Sequence, residues 1–385
     1  MPARGSSLLV GALLVVLIAA CSQATPGAAP APRASKATAP AAAQAAPQSA
    51  ARGDYFAGKT VTVLVNYTAG GPTDIFARMV AQHLDKHIPG NPTLVVENKP
   101  GAGGVIGANY LYNAARKDGL TLGIFSSPFS AQILDGEGVQ YDSAQFLWTG
   151  GVNESQVTYT HQILGAKTAR DLLSTSQEIV VGGLSPDSSK DLRMRVLLNL
   201  LGLKYRYVTG YPGTAEIVLA LRRGEVNLGD DSLTSWVTNV MPLVREGSVY
   251  PLAQMGIIKG GQIVRDPRVA DIPTYSEILL ETKGDAVRQT LEYRAMNTLI
   301  GVGSMLRALV YPPGVDAAVV EVMRQAVADT FASPDFQAAA EKQLGFQFEF
   351  VPGGEAQELA GKIVEDANDD PEPLDYLRRL AREGR

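Results

Sequence analysis

The sequence predicts an α/β protein of two lobes, each a mostly parallel sheet covered by helices. Two observations predict it. Short apolar strands alternate with amphipathic helices from Thr60 onward, and after a break the same alternation restarts near Ile179. The joints between strand and helix are rich in Gly, Ser, Thr and Asp, notably at 66–74, 184–190 and 229–232. In open α/β sheets such joints gather at the carboxyl ends of strands, so all three are expected to face one cleft.

Taken in order, the first strand is expected from Thr60 to Val65. The turn Asn66 to Asp74 leads into a helix with Ile75, Phe76, Met79, Val80, Leu84 and Ile88 as its apolar stripe. Thr73 or Asp74 is its expected N-cap, and Pro89-Gly90 ends it. A strand from Thr93 to Val96 passes through Glu97 to Gly104 into a helix reaching Ala115. Asp118-Gly119 then turns into a strand from Leu120 to Phe125. Residues 146–162 read as irregular. A strand at Ile179 to Val181, the loop at 184–190 and a helix from Asp191 to Leu201 restart the pattern. A strand from Tyr205 to Val208, a turn at 210–214 and a helix from Ala215 to Arg223 repeat it. A short strand at Val226 to Leu228 runs into the loop at 229–232 and a helix from Thr234 to Arg245. Leu252 to Met255 is expected to return to the first lobe. The tail offers a helix (Val319, Met323, Val327, Phe331), a strand from Phe346 to Phe350 and a charged last helix. Lobe I therefore takes 54–150 with 255–385, and lobe II takes 151–254.

Ahead of the lobes lies a targeting segment, residues 1–20. Arg4 supplies its positive start, and the apolar run from Leu8 to Ile18 falls short of the about 20 residues needed to span a bilayer. The run ends in Ile18-Ala19-Ala20-Cys21, and Cys21 is the chain's single cysteine. Small residues before a lone cysteine in this place resemble a bacterial lipobox, so Cys21 is the expected lipidation site. Residues 21–53 are mostly Ala, Pro, Ser, Thr and Gln, which cannot bury enough apolar surface to offset their ordering entropy, and they read as a tether. The expected setting is extracytoplasmic, either periplasm or cell surface. With no further cysteine, disulfides and thiolate metal sites are excluded. A net charge of −5 without a basic run argues against nucleic acid.

The loop at 66–74 carries the chemistry. Gly70-Gly71 lets the main chain approach a ligand, and the helix that follows presents unpaired N–H groups with partial positive charge, an anion site that needs no cationic side chain. Asp74, an acid beside that site, is expected to cap the helix rather than touch an anion. Lys190, Arg193 and Arg195 are expected to face solvent.

Asn66 to Arg78 resembles the first motif of the tripartite tricarboxylate transporter receptor family, also called the Bug family. Glu97-Asn98-Lys99-Pro100-Gly101-Ala102-Gly103-Gly104 is similar to its second signature, and Asp118 to Leu122 to its third. Gly224 to Asn227, Ile272 to Glu277 and Tyr311 to Val315 match later landmarks in order. The resemblance implies a type II periplasmic-binding fold with a ligand cleft between the lobes. It implies a monomeric receptor, without cofactor, metal or catalysis, that hands a small carboxylate (a di- or tricarboxylate, an aromatic acid or an amino acid) to a two-subunit permease. Carried over by position, it points to Tyr67, Thr68, Ala69, Gly71, Thr73 and Asp74 in lobe I and to Ser185, Asp187, Ser188 and Ser189 in lobe II. Ser126, Ser127 and Asp231 are further candidates. Residues 183–190 depart from the family's Gly-Ser-Gly-Ser pattern by inserting Pro186-Asp187.

Rival readings are weaker. Gly101-x-Gly103 opens a helix after a strand, but Gly107 comes one residue late for a dinucleotide fingerprint. His83 and His87 have a zinc-like spacing without the metalloprotease Glu. An exported hydrolase would have to use His161 with a serine, and no G-x-S-x-G elbow is present. A receptor presenting its ligand to a signalling partner is the third alternative.

Overall fold

The computed structural model describes residues 55–383 except 127, 135, 137, 260 and 261; the targeting segment, Cys21 and the tether lie outside the described residues. Four strands come first: β1 (Thr60–Val65), β2 (Thr93–Asn98), β3 (Thr121–Ser126) and β4 (Leu147–Asn153). Then follow β5 (Gln156–His161), β6 (Ile179–Gly182), β7 (Tyr205–Val208), β8 (Leu228–Ser232) and β9 (Val249–Gln254). A hairpin of β10 (Ile257–Lys259) and β11 (Gln262–Val264) precedes β12 (Met305–Tyr311) and β13 (Glu349–Pro352). The larger sheet has the order β13-β4-β12-β3-β1-β2, and the smaller one β7-β6-β8-β5-β9.

Both sheets are flanked by helices and mixed in direction. Where a helix intervenes between consecutive strands the pairing is parallel: β2, β1 and β3 in one sheet, β7, β6 and β8 in the other. The remaining strands join antiparallel.

Three stretches differ from the sequence expectation. Residues 146–162, which read as irregular, supply β4 and β5, each an interior strand one place in from the edge of its sheet. Both faces of these strands are covered; β4 carries no polar alternation, while β5 alternates from Gln156 to Thr160 with Val157 and Tyr159 as its apolar members. Gly150 and Gly151 are there because a Cβ would meet the Phe350 ring at 2.6 Å and the Met305 sulfur at 2.7 Å. Residues 229–232 are part of β8 rather than a loop. Finally, β9 pairs with β5 in the smaller sheet and does not return to the first.

The chain crosses between sheets through residues 154–155 and leaves the smaller sheet after Gln254. These two segments are tied laterally: the Met255 amide donates to the Gln156 carbonyl at 2.8 Å, and the Gly256 amide to Ser155 Oγ at 2.9 Å.

Helix Pro72–Leu84 illustrates how sequence becomes packing. Pro72 starts it at a position where an N–H would be unused, and Phe76, Met79, Val80 and Leu84 are buried on one side. Each such side chain stabilises the fold by about 1.5–3 kcal/mol. Phe76 stands edge-on to Phe348 at 5.0 Å, joining the helix to the tail of the chain. Neither Thr73 nor Asp74 is the N-cap; Gly71 is, in an extended conformation, with Asp74 in the third helical position.

Candidate ligand-binding site

At the carboxyl end of β1 the chain turns through Asn66 into the first loop. Gly70 has φ +80, which suits glycine, and Gly71 does not have a positive φ. The loop is wound around Asp74. Its Oδ2 accepts from the Gly70 amide at 2.8 Å and from Arg78 Nε at 2.9 Å, while Oδ1 accepts from Asn98 Nδ2 at 3.0 Å. Burial alone would raise this carboxyl, but the bonds from Arg78, Gly70 and Asn98 hold it below its ordinary value. Asn98 also donates to the Tyr67 carbonyl at 2.9 Å, and the Tyr67 hydroxyl to the Gly103 carbonyl at 2.8 Å. A Cβ on Gly104 would meet Asn66 Nδ2 at 2.4 Å. The stretch Glu97 to Gly104 is therefore a buttress for the loop. Thr68 and Ala69 are exposed, and Thr73 and Asp74 stand in the first helical turn, whose amides have no intrahelical acceptor.

The second loop, after β6, repeats the arrangement. Ser188 is the N-cap of helix Ser189–Leu201, accepting from the Asp191 amide. Asp191, again the third helical residue, accepts from the Ser185 amide at 2.9 Å and from the Tyr207 hydroxyl at 2.7 Å. Ser185 Oγ donates to Asp187 at 2.7 Å. Burial raises the Asp191 carboxyl, only partly offset by the Lys190 charge and these bonds. Lys190 Nζ lies 3.8 Å from Asp191 Oδ1.

The expectation that Lys190, Arg193 and Arg195 face solvent is not met. Arg193 and Arg195 are buried and the Lys190 ammonium is shielded, because helices Leu291–Ser304 and Pro371–Glu383 cover Ser189–Leu201. Arg193 is bonded to Asp230 at 2.5 Å, and Arg195 to the Leu380 carbonyl at 2.6 Å.

The two loops come within electrostatic reach of each other. Burial raises the Tyr67 hydroxyl, the Arg307 charge counteracts this, and the Asp191 carboxylate adds to it. The Tyr67 side chain of the first loop thus feels the charge of Asp191 in the first turn of helix Ser189–Leu201. Ser126 ends β3 beside them, its amide donating to Asn66 Oδ1 at 3.2 Å. Asp231 is buried in β8 instead of on a loop, its Oδ2 accepting from the Tyr159 hydroxyl at 2.5 Å. Ser127 lies outside the described residues.

Sequence reasoning missed Arg307, Glu154 and Asp191. Arg307 reads as one charge inside the apolar run Met305–Tyr311, a signal that could have flagged it, because an arginine mid-strand needs an answering group. It pairs with Ser126 across β3, which places it at the carboxyl end of the parallel strands.

The rival chemistries find little here. His161 accepts from the Ile163 amide, capping a turn at the far end of β5. His83 bonds the Met79 carbonyl at 2.9 Å and stacks edge-on against Phe336. Among the described residues no three His, Cys, Asp or Glu gather to hold a metal, and no helix is long and apolar enough to cross a membrane.

Comparison with known proteins agrees with this architecture. A curated relative, the UPF0065 protein of the gbd 5' region from Cupriavidus necator, is 27% identical over 301 residues, covering 76% of this chain and 80% of its own. The solved structure of the periplasmic binding protein BugD superposes with a TM-score of 0.62 at 22% identity, over 84% of this chain and 97% of BugD. MatC from Rhodopseudomonas palustris, solved with malate, gives 0.60 at 21%, over 81% and 98%. At such identities the structural likeness speaks for the fold. The family described as tripartite tricarboxylate transporter family receptor matches residues 76–371. Its members are solute-binding receptors rather than enzymes, and this chain belongs to that family.

Proposed function

We propose that this protein captures a small carboxylate between the loop at 66–74 and the loop at 184–191 and delivers it to a two-subunit membrane permease. The observation that carries the reading is that both loops lead into helices whose third residue, Asp74 or Asp191, binds a main-chain amide of its own loop, with the Asp191 charge also felt by the Tyr67 hydroxyl. Helix N-termini favour anions through their free amides and the helix dipole. Malate in the related MatC supports the ligand class. Thr68, Ala69, Gly71, Thr73, Ser188 and Ser189 contact the ligand in this reading, with Tyr67 and Ser126 at its margin. Asp74, Asp191 and Asp187 shape the loops. Charge-assisted bonds of about 1.5–3 kcal/mol each suffice for micromolar affinity, about −8 kcal/mol, after the costs of closure.

The test is calorimetric titration against mono-, di- and aromatic carboxylates, with at least one micromolar ligand expected. Silence across the whole panel would remove the proposal. Gly71→Val addresses the loop itself: a Cβ there sits 3.4 Å from the Thr68 carbonyl, an ordinary contact, so the variant is expected to fold and lose binding. Unchanged affinity would take the loop out of the site. The lipobox-like segment supports an acyl anchor at Cys21, with the Pro/Ala-rich tether letting the receptor range from the membrane. Cys21→Ser is expected to abolish labelling by a fatty-acid probe; labelling that persists would refute the anchor.

A further inference from the structure

The last helix described, Pro371–Glu383, lies almost wholly beyond the span matched by the family. It begins at a break. Asp370 leaves the helical conformation, and Pro371 has no N–H with which to continue helix Gly353–Asp369. Pro373, Leu374, Leu377, Leu380 and Ala381 form one buried face at the spacing of an amphipathic helix, resting on helices Leu291–Ser304 and Ser189–Leu201.

Polar ties fasten this helix to both sheets. On the side of the larger sheet, Arg378 Nη2 donates at 3.1 Å to the carbonyl of Ile133, which ends the helix that follows β3. Arg294 spans the break, bonding Asp370 at 2.6 Å and also Glu372. On the side of the smaller sheet, Asn199 Nδ2 donates to the Tyr376 hydroxyl at 3.3 Å. Arg195 Nη2 donates to the Leu380 carbonyl at 2.6 Å, in a last turn whose carbonyls need donors from outside the helix. The same guanidinium makes a long bond through Nη1 to the Pro186 carbonyl at 3.4 Å and lies 5.0 Å over the Tyr207 ring. Tyr207 in turn donates to Asp191, which holds the Ser185 amide. Arg195 therefore joins the end of the tail helix to the second loop.

We propose that helix Pro371–Glu383 is a strap across the two sheets that restrains their opening and holds the loop at 184–191, with Arg195 as the positioning residue. A terminal helix preceded by a break detaches as a unit without unfolding either sheet, so release about Asp370 frees the loop and the sheets together. The inference goes beyond the carboxylate-capture reading and needs no solute.

Two readouts on the full chain, without added carboxylate, test it. Amide hydrogen exchange follows residues 184–191. Distances between spin labels at Lys86→Cys and Arg222→Cys, in a Cys21→Ser background, follow the two sheets; both side chains are exposed, one between β1 and β2 and the other between β7 and β8. Arg378→Met loosens the strap at Ile133, and Arg378 is partly exposed, so the variant is expected to fold. Exchange at 184–191 should then rise about threefold or more, and the label distances should spread to longer values, although the cut is made at the other sheet. Arg195→Met removes the tie to the loop itself and should raise exchange there about tenfold or more. If Arg195→Met fails to fold, Arg378→Met decides alone. Faster exchange confined to 371–383 in Arg378→Met, or unchanged label distances, would reduce the helix to a cover and overturn the inference. These effects together with silence in the carboxylate titrations would sink the capture reading and leave the strap standing.

Discussion

Replacing Asp231 by asparagine probes the energetics of the smaller sheet. Asp231 is fully buried in β8, and burial pushes its carboxyl up to about 6 from 3.8, despite the Tyr159 hydroxyl and the Lys190 charge, which favour the ionised form. The folded chain therefore holds this proton more tightly than the unfolded chain. Stability from this group is fully present below about pH 4, declines as pH rises through 6, and is level above. The full difference is about 3 kcal/mol, with no discount for solvent because the group is buried. Asparagine keeps an acceptor for Tyr159 and never ionises. Wild type and Asp231→Asn are thus expected to be about equally stable at pH 4, with the variant ahead by about 2–3 kcal/mol at pH 7.5. Guanidinium denaturation at several pH values gives the difference curve, in which other acids cancel. A flat difference between pH 4 and 7.5, or a less stable variant at pH 7.5, would refute the reasoning.

Asp74→Asn places an amide N–H against either Gly70 or Asn98, and is expected to cost about 2–3 kcal/mol at neutral pH. Because the Asp74 carboxyl is held below its ordinary value, that advantage of the wild type should fade as pH falls below about 4; an undiminished gap at pH 2–3 would contradict it. Gly70→Ala must accept φ +80 and should cost about 1 kcal/mol or more in urea melts, whereas Gly71→Ala should cost little; the reverse order would misplace the turn. Phe76→Ala should lose about 3–5 kcal/mol by opening a cavity beside Phe331 and Phe348, a loss that thermal denaturation would report.

Much of the architecture is readable locally. The strand Thr60–Val65 and helices Pro72–Leu84 and Ser189–Leu201 announce themselves by apolar runs, punctuation and periodicity. What escapes depends on partners far along the chain. Residues 147–153 form an interior strand whose faces are both covered, so their composition carries no alternation, and in β5 the alternation of Val157 and Tyr159 with polar residues is too short to stand out. Gly229-Asp230-Asp231 resembles a loop until Arg193, 37 residues upstream, answers Asp230 inside the sheet. The helix Leu291–Ser304 earns its place by packing on Ser189–Leu201. In the candidate site, loop positions such as Thr68, Gly71 and Ser188 follow from local pattern. Asp191 and Arg307 do not, since their roles exist only once Ser185, Tyr207, Ser126 and Glu154 surround them.

Asp74 and Asp191 sit at matching places in their helices, and each reaches back to a main-chain amide of its own loop. In the carboxylate-capture reading proposed above, both rims of the ligand crevice are consequently moulded before any solute arrives. Little loop entropy remains to be lost on association, so more of each contact survives as affinity. The same stiffness forbids the rims from remoulding around a longer or bulkier guest. Discrimination should then follow the length of the ligand skeleton steeply, one methylene at a time.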